Sequence, residues 1–110
     1  MKYLKTFENN ELKKYIILHI IMEDHSSSDF YLLLKKIKKY KSYGRIKYKL
    51  EKLYKTDQEK GFRPLNDEHL FAFSQNFIDE KIVYQSDNLE QLILIMQSIY
   101  ETEKYNLWNT

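Results

Sequence analysis

The segment YIILHIIM at residues 15–22 constrains the fold more than any other part of the chain. It is apolar at odd and even positions alike, is rich in β-branched residues, and has His19 as its one polar member. A strand with one side in water alternates apolar and polar residues, whereas a strand covered on both faces does not. Residues 15–22 therefore predict a central strand of a sheet with structure packed on both sides.

Helical spacing predicts helices on either side of the chain's midpoint. From Asp29, apolar residues recur at positions i, i+3, i+4 and i+7 and Gly44 follows as a stop, which predicts a helix over 29–43. Residues 45–55 fit both a strand and a helix, and the helical spacing, which covers the whole stretch, is slightly favoured. A capping-box spacing from Asp87 to Glu90 predicts the start of a last helix, which is apolar all round at 92–96.

The remaining segments complete a single α+β domain over residues 1–110. Residues 56–68 hold the one proline and one of the two glycines, and they predict a loop. HLFAFSQN and KIVYQS predict two strands around a turn at FIDE. The expected architecture is a three- to four-stranded, mainly antiparallel sheet with two or three helices packed on it.

Composition excludes several classes of function. The chain has no cysteine, so disulfides, thiolate metal sites and thiol catalysis are excluded. The longest apolar run, residues 15–22, is too short to span a bilayer, and no signal-peptide cleavage pattern follows it. These features predict a cytoplasmic protein without a membrane partner.

Charge is strongly polarised along the chain. Residues 1–34 carry a net charge of −1, residues 35–63 carry +9, and residues 64–110 carry −6. Between Lys35 and Lys55 lie ten cationic residues, one acid (Glu51) and four tyrosines. Lysine binds phosphate as a point charge and tyrosine rings stack on unpaired bases, so this segment predicts a polyanion-binding surface. The alternative is a solvated face, with the tyrosines in the core and the lysine stems lying over it.

The candidate binding residues share a cationic or aromatic side chain in or beside this segment. They are Lys35, Lys36, Lys38, Lys39, Lys41, Tyr43, Arg45, Lys47, Tyr48, Lys49, Lys52, Lys55 and Arg63. Arginine reads guanine bidentately, and Arg45 is the one arginine between Lys35 and Lys55. Binding to RNA or DNA is therefore expected to be weakly sequence-specific and strongly salt-dependent.

The stretch YGRIKYKLEKLYKTDQEKGF is similar to the recognition helix and wing entry of winged-helix DNA-binding proteins. That resemblance implies a helix packed through Ile46, Leu50 and Leu53, with intervening lysines facing DNA. The buried strand at 15–22 does not belong to the winged-helix fold. This direct nucleic-acid-binding module is one alternative function, and the broad apolar helix at Leu89–Tyr100 would suit a homodimer.

A second alternative is a small metal-dependent nuclease. Two acid–acid–His triplets occur, at residues 23–25 and 67–69, and together they would offer carboxylate and imidazole ligands. Nothing in the sequence brings them together, and acid pairs are common in turns. His19, within an apolar strand, predicts a hydrogen-bonded core histidine. No P-loop, glycine-rich nucleotide loop or HExxH motif occurs, so we expect no cofactor and no catalytic residue.

In its general character the chain resembles small accessory proteins of phages and prophages, including anti-CRISPR proteins. The resemblance rests on the opening MKYLKTFEN and on a short α+β unit without catalytic signatures. It implies a non-enzymatic, stoichiometric inhibitor of a bacterial defence nuclease. The basic segment would then bind guide RNA or the effector protein, so the expected partner is a host protein or ribonucleoprotein nuclease.

Overall fold

Residues 15–20 form an interior strand of the sheet, with a neighbouring strand on each side. The computed structural model describes residues 11–21, 29–66 and 70–108, the last six of these as backbone. Its elements are β1 (Tyr15–Ile20), β2 (Phe30–Ser42), β3 (Arg45–Asp57), β4 (Gly61–Pro64), β5 (Leu70–Ser74), α1 (Gln75–Lys81), β6 (Ile82–Ser86) and α2 (Leu89–Trp108).

The strands form one curled antiparallel sheet in the order β4-β3-β2-β1-β6, with β5 also paired to β3. The strands β4 and β5 lie one after the other along the same edge of β3, opposite residues 54–57 and 47–51. The long β2–β3 hairpin extends about 43 Å at the usual rise per residue, close to the 46 Å long axis of the molecule.

The two helices cover opposite faces of the sheet. On the α1 side, Ile16, Leu18 and Ile78 are buried in the larger core cluster. On the α2 side, Ile17 packs in a second cluster with Leu92 and Met96. Consecutive β1 residues thus point into two different cores, which confirms the predicted central strand and explains why its sequence does not alternate.

The helix predicted over 29–43 is wrong, because these residues form strand β2. The helical stripe left Leu32 unexplained, although it is buried like Leu33 and Leu34. In the strand, Leu32 and Leu34 enter the α1-side cluster and Leu33 enters the α2-side cluster. The segment repeats the pattern of β1, and pairing with both β1 and β3 overrides the helical propensity of its leucines and lysines.

The helix favoured over 45–55 is also wrong, and the alternative strand is correct. The alternation of Tyr48 and Leu50 on the α1 side is the true period, and both side chains are fully buried. One extra residue, Leu53, stands in a β-bulge between the pairs Leu34–Lys52 and Leu33–Tyr54. The bulge shifts the alternation by one position, and this shift imitated helical spacing. The recognition helix implied by the winged-helix resemblance therefore does not form.

The number of strands and two further segments also differ from the sequence predictions. The sheet has more strands than expected and two helices among the described residues. The predicted strands β5 and β6 are present, but the turn at FIDE is helix α1, and the predicted loop at 56–68 contains β4. Compact α+β architecture is confirmed at the coarser level.

The last helix is capped one residue later than predicted. Asn88 Oδ1 accepts the backbone N–H groups of Glu90 and Gln91, at 3.1 and 3.4 Å. Asp87 instead accepts the backbone N–H of Lys14 at 2.9 Å, which ties the helix entrance to β1. The apolar girdle at 92–96 is buried on one side and exposed on another, where Leu94 is 63% exposed. Dimerisation through this helix stays a prediction.

Candidate nucleic-acid interface

The far half of the β2–β3 hairpin extends beyond β1. Strand β1 pairs with β2 only as far as Lys35, so residues 37–42 pair with no described strand on that edge. Ser42 pairs with Arg45, and Tyr43 and Gly44 connect the strands with φ angles of 50° and 77°. Positive φ at both central residues is typical of a type I′ turn, whose twist matches that of the flanking strands.

A second bulge sets which lysines share a face of this half. Ile37 is the extra residue between the pairs Lys36–Leu50 and Lys38–Lys49. Directly opposed residues lie on the same face of an antiparallel pair. Lys39 lies opposite buried Tyr48 and therefore points to the α1 side, whereas Lys38 points to the α2 side.

The α2 side of the far half is a three-by-three array on β2, β3 and β5, which we call the lysine face. Its rows follow from the strand register. They are Lys35–Glu51–Leu70, Lys38–Lys49–Ala72 and Tyr40–Lys47–Ser74. Neighbours are about 5 Å apart across the strands and about 7 Å apart along them. The face thus offers four cations, one acid (Glu51) and one ring in a regular array.

Helix α2 does not cover the lysine face. The sheet residues that pack in its cluster are Tyr15, Ile17, Tyr31, Leu33, Tyr54 and Phe62. These lie on β1, on the near halves of β2 and β3, and on β4. On the lysine face Leu70 is 44% exposed, and Ala72 and Lys49 are exposed. The face is therefore open to solvent within the described part of the chain.

Among the described residues, lysines outnumber acids on the lysine face by four to one. Lys35, Lys38, Lys47 and Lys49 form no ion pair with any described residue, and this includes Glu51 opposite Lys35. Lys38 and Lys49 are directly opposed, an arrangement of like charges that destabilises a strand pair. A bound anion would relieve that repulsion.

On the α1 side, by contrast, two lysines of the same segment are engaged. Lys39 Nζ donates to Glu11 Oε2 at 2.9 Å, and Lys36 Nζ donates to the Leu12 carbonyl at 2.7 Å. The Lys39 hydrogen bond holds the pKa of Glu11 below its usual value, and the same bond raises the pKa of Lys39. These two lysines attach residues 11–12 to the sheet.

The near end of the hairpin has its own closed ion-pair cluster around Asp57. Arg63 donates to both carboxylate oxygens at 3.2 and 3.3 Å, and Lys60 N–H donates to Oδ1 at 2.7 Å. Lys55 Nζ lies 3.8 Å from Oδ2. Burial alone would raise the pKa of Asp57, but these hydrogen bonds and charges hold it below its usual value. Lys55 and Arg63 are thus partnered within the fold.

The remaining candidates separate into buried and exposed residues. Tyr48 is fully buried, its hydroxyl donates to Gln75 Oε1 at 2.9 Å, and burial raises its pKa. Lys52 lies over the Phe71 ring at 4.2 Å. Lys41, Tyr43 and Arg45 are exposed around the turn. The proposed interface therefore excludes Tyr48 and Lys52. It also excludes the cations with partners within the fold, which are Lys36, Lys39, Lys55 and Arg63.

Sequence reasoning missed Tyr40 as an interface residue. The helical interpretation put it on a buried stripe with Phe30 and Ile37, whereas the strand places it on the lysine face opposite Lys47. A strand period of two with one inserted residue would have predicted the side on which Tyr40 lies. Applying that period requires knowing that the inserted residue is Ile37.

The candidate metal-binding triplets at 23–25 and 67–69 lie outside the described residues. Among the residues that are described, no group of three or more histidines or acids is placed to hold a metal ion. His19 is hydrogen-bonded as predicted, but it is half-buried and belongs to neither core cluster. Its Nε2 lies 3.2 Å from Asp29 Oδ2, and its ring stacks on Tyr31 with centroids 4.3 Å apart.

Within residues 11–21, 29–66 and 70–108, no helix combines the length and apolarity needed to cross a bilayer.

Comparison of the chain with protein-family models, curated proteins and solved structures finds no match. The chemistry of the lysine face therefore has to be interpreted from its own residues.

Proposed function

We propose that the protein is a non-enzymatic binding protein whose lysine face grips the phosphate backbone of a nucleic acid. The observation that carries this proposal is the directly opposed pair Lys38–Lys49, flanked by Lys35 and Lys47, with no ion-pair partner among the described residues. Folding alone does not favour such an array, because like charges opposite one another cost stability.

The chemistry of the array fits phosphate better than it fits a base edge. Lysine ammonium groups are mobile point charges, whereas bidentate base reading requires arginine, and on this surface the turn supplies only Arg45. A sheet face with cations a few ångströms apart can follow a phosphate chain without fixing its sequence. Affinity is then dominated by counterion release and falls steeply with salt.

The resemblance to phage accessory proteins places this function in a context. On that hypothesis the bound nucleic acid is the guide RNA of a bacterial defence nuclease, and the protein acts as a stoichiometric inhibitor. An acidic patch of the effector protein is the other surface that the lysine face could meet. The experiment below separates the two, because only the first requires affinity for free nucleic acid.

The test compares two quadruple variants that remove the same charge. The first neutralises the lysine face, and the second neutralises exposed or half-exposed lysines elsewhere. They are K35Q/K38Q/K47Q/K49Q and the matched control K13Q/K14Q/K60Q/K81Q. Binding to a short RNA is measured by fluorescence anisotropy over a salt series.

The slope of log K against log salt is negative. Loss of four phosphate contacts should make it shallower by about 3 and weaken binding roughly tenfold or more. The control variant should keep the wild-type slope. Equal losses in both variants would mean that net charge alone drives binding. No binding of wild-type protein at low salt would exclude free nucleic acid as the ligand.

A further inference from the structure

Tyr43 stands alone at the tip of the hairpin. Its side chain is fully exposed to solvent. No ring contact, cation–π contact or hydrogen bond joins it to another described residue. The other tyrosines whose side chains the structure describes are half-buried or buried, except Tyr84, which is 47% exposed.

Neither the turn nor the core explains a tyrosine at this position. Its φ of 50° lies in the left-handed region, where asparagine, aspartate and glycine are favoured in type I′ turns. A large aromatic ring there adds steric cost and gains no packing against the described residues. Residues held in such unfavourable conformations are concentrated at functional sites. The choice of tyrosine therefore points to a contact made outside the fold.

The surroundings of Tyr43 indicate what that contact is. Arg45 lies opposite Ser42 on the same side as the lysine face, and Tyr40 and Lys47 form the next row of that face, whereas Lys41 lies opposite Ile46 and points to the α1 side. A ring next to a row of cations matches the pairing of base and phosphate along a nucleic-acid strand. In a duplex the bases are already stacked and paired, so a ring at the tip has no free base face to cover.

We propose that Tyr43 is a base-stacking residue, and that the ligand of the lysine face is a single strand with unpaired bases. This inference rests on the proposed function and adds a substrate class to it. The phosphates would lie along the lysine rows, and one base would stack on the exposed Tyr43 ring. Stacking is tolerant of sequence because every base has a π-face.

Three ligands of equal phosphate number separate stacking from charge: a short single-stranded RNA, an abasic oligomer, and a duplex. Wild-type protein should bind the single strand roughly tenfold more tightly than the abasic oligomer, the expected contribution of one stacked base. The variant Tyr43→Asn should lose that difference and keep the affinity for the abasic oligomer. The control Tyr43→Phe keeps the ring and should keep the difference.

The turn makes Tyr43→Asn an unusually clean variant. Asparagine suits the left-handed conformation, so the melting temperature of the Tyr43→Asn variant should equal or exceed that of wild-type protein. If wild-type protein binds the single strand and the abasic oligomer equally, or prefers the duplex, base stacking is excluded while the lysine face remains a phosphate site. If it binds none of the three ligands, the proposed function itself fails.

Discussion

The two sides of the β2–β3 hairpin carry cations from one basic segment in opposite circumstances. On the α1 side, Lys36 and Lys39 are bound to residues 11–12. On the α2 side, Lys38 and Lys49 face each other without a partner among the described residues. The fold thus uses part of its lysine for its own attachment and leaves another part at the surface. Neighbouring lysines in sequence therefore have different roles.

The tyrosines of the hairpin differ in the same way. Tyr48 fills the α1-side core with its hydroxyl satisfied by Gln75. Tyr40 is half-buried on the lysine face, one row from the tip. Ring type and sequence neighbourhood are alike, and their positions on opposite sides of the far half of the hairpin separate a core residue from an interface residue.

The largest difference in stability is expected between the alanine variants of these two tyrosines. Tyr48→Ala leaves a cavity in the core and should lower the free energy of unfolding by about 4 kcal/mol. Tyr40→Ala should cost less than about 1 kcal/mol and should weaken binding to single-stranded RNA. Urea denaturation and anisotropy measure the two quantities. A large stability loss for Tyr40→Ala would contradict its placement on the open face.

An intermediate effect is expected at the near end of the hairpin, where Asp57 is enclosed. Asp57→Asn removes charge-assisted hydrogen bonds to Arg63 and should lower the free energy of unfolding by about 2 kcal/mol at pH 7. RNA affinity should change little, since this cluster lies far from the lysine face along the hairpin. Thermal unfolding of both proteins at neutral pH measures the difference.

The stabilisation of the fold by the Asp57 carboxylate depends on pH. Its pKa in the folded state is lowered from an ordinary value of 3.8, so the carboxylate's contribution is complete above that value. The contribution is lost as pH falls through the lower folded pKa. Wild-type protein should therefore lose stability below pH 4 more steeply than Asp57→Asn. Parallel slopes for the two proteins would mean that the ion-pair cluster does not stabilise the fold.

The smallest effect, and the sharpest test of the two sides, compares Lys38→Glu with Lys39→Glu. Both change the net charge by two, at adjacent residues. Lys38→Glu replaces a like-charge pair with an opposite-charge pair and should raise stability by a few tenths of a kcal/mol while weakening RNA binding. Lys39→Glu places an acid beside Glu11 and should lower stability with less effect on binding.

Thermal unfolding and anisotropy on the same preparations decide between them. If the two variants change binding equally, the side of the sheet does not matter and the lysine face is not the binding surface. If Lys38→Glu lowers stability, the pair Lys38–Lys49 is not as closely opposed as the register indicates.

Local sequence determined several features of this protein by itself. The two-sided apolar pattern of residues 15–22 predicted a covered central strand, of which Tyr15–Ile20 form β1, and the last helix and the strands β5 and β6 were readable from their periodicities. The concentration of lysine between Lys35 and Lys55 also marked the segment that carries the candidate site. Each of these signals comes from residues close together in the chain.

Only the tertiary structure decided the conformation of the basic segment and the side to which each lysine points. Two bulges, at Ile37 and Leu53, interrupt the period of two, and the resulting spacing imitates a helix. Pairing of β2 with β1 and of β3 with β5 then selects the strand conformation for both segments. Both partner strands lie outside the basic segment in sequence. Because a shift of one residue moves every side chain to the opposite face, the bulges determine which lysines remain free to bind.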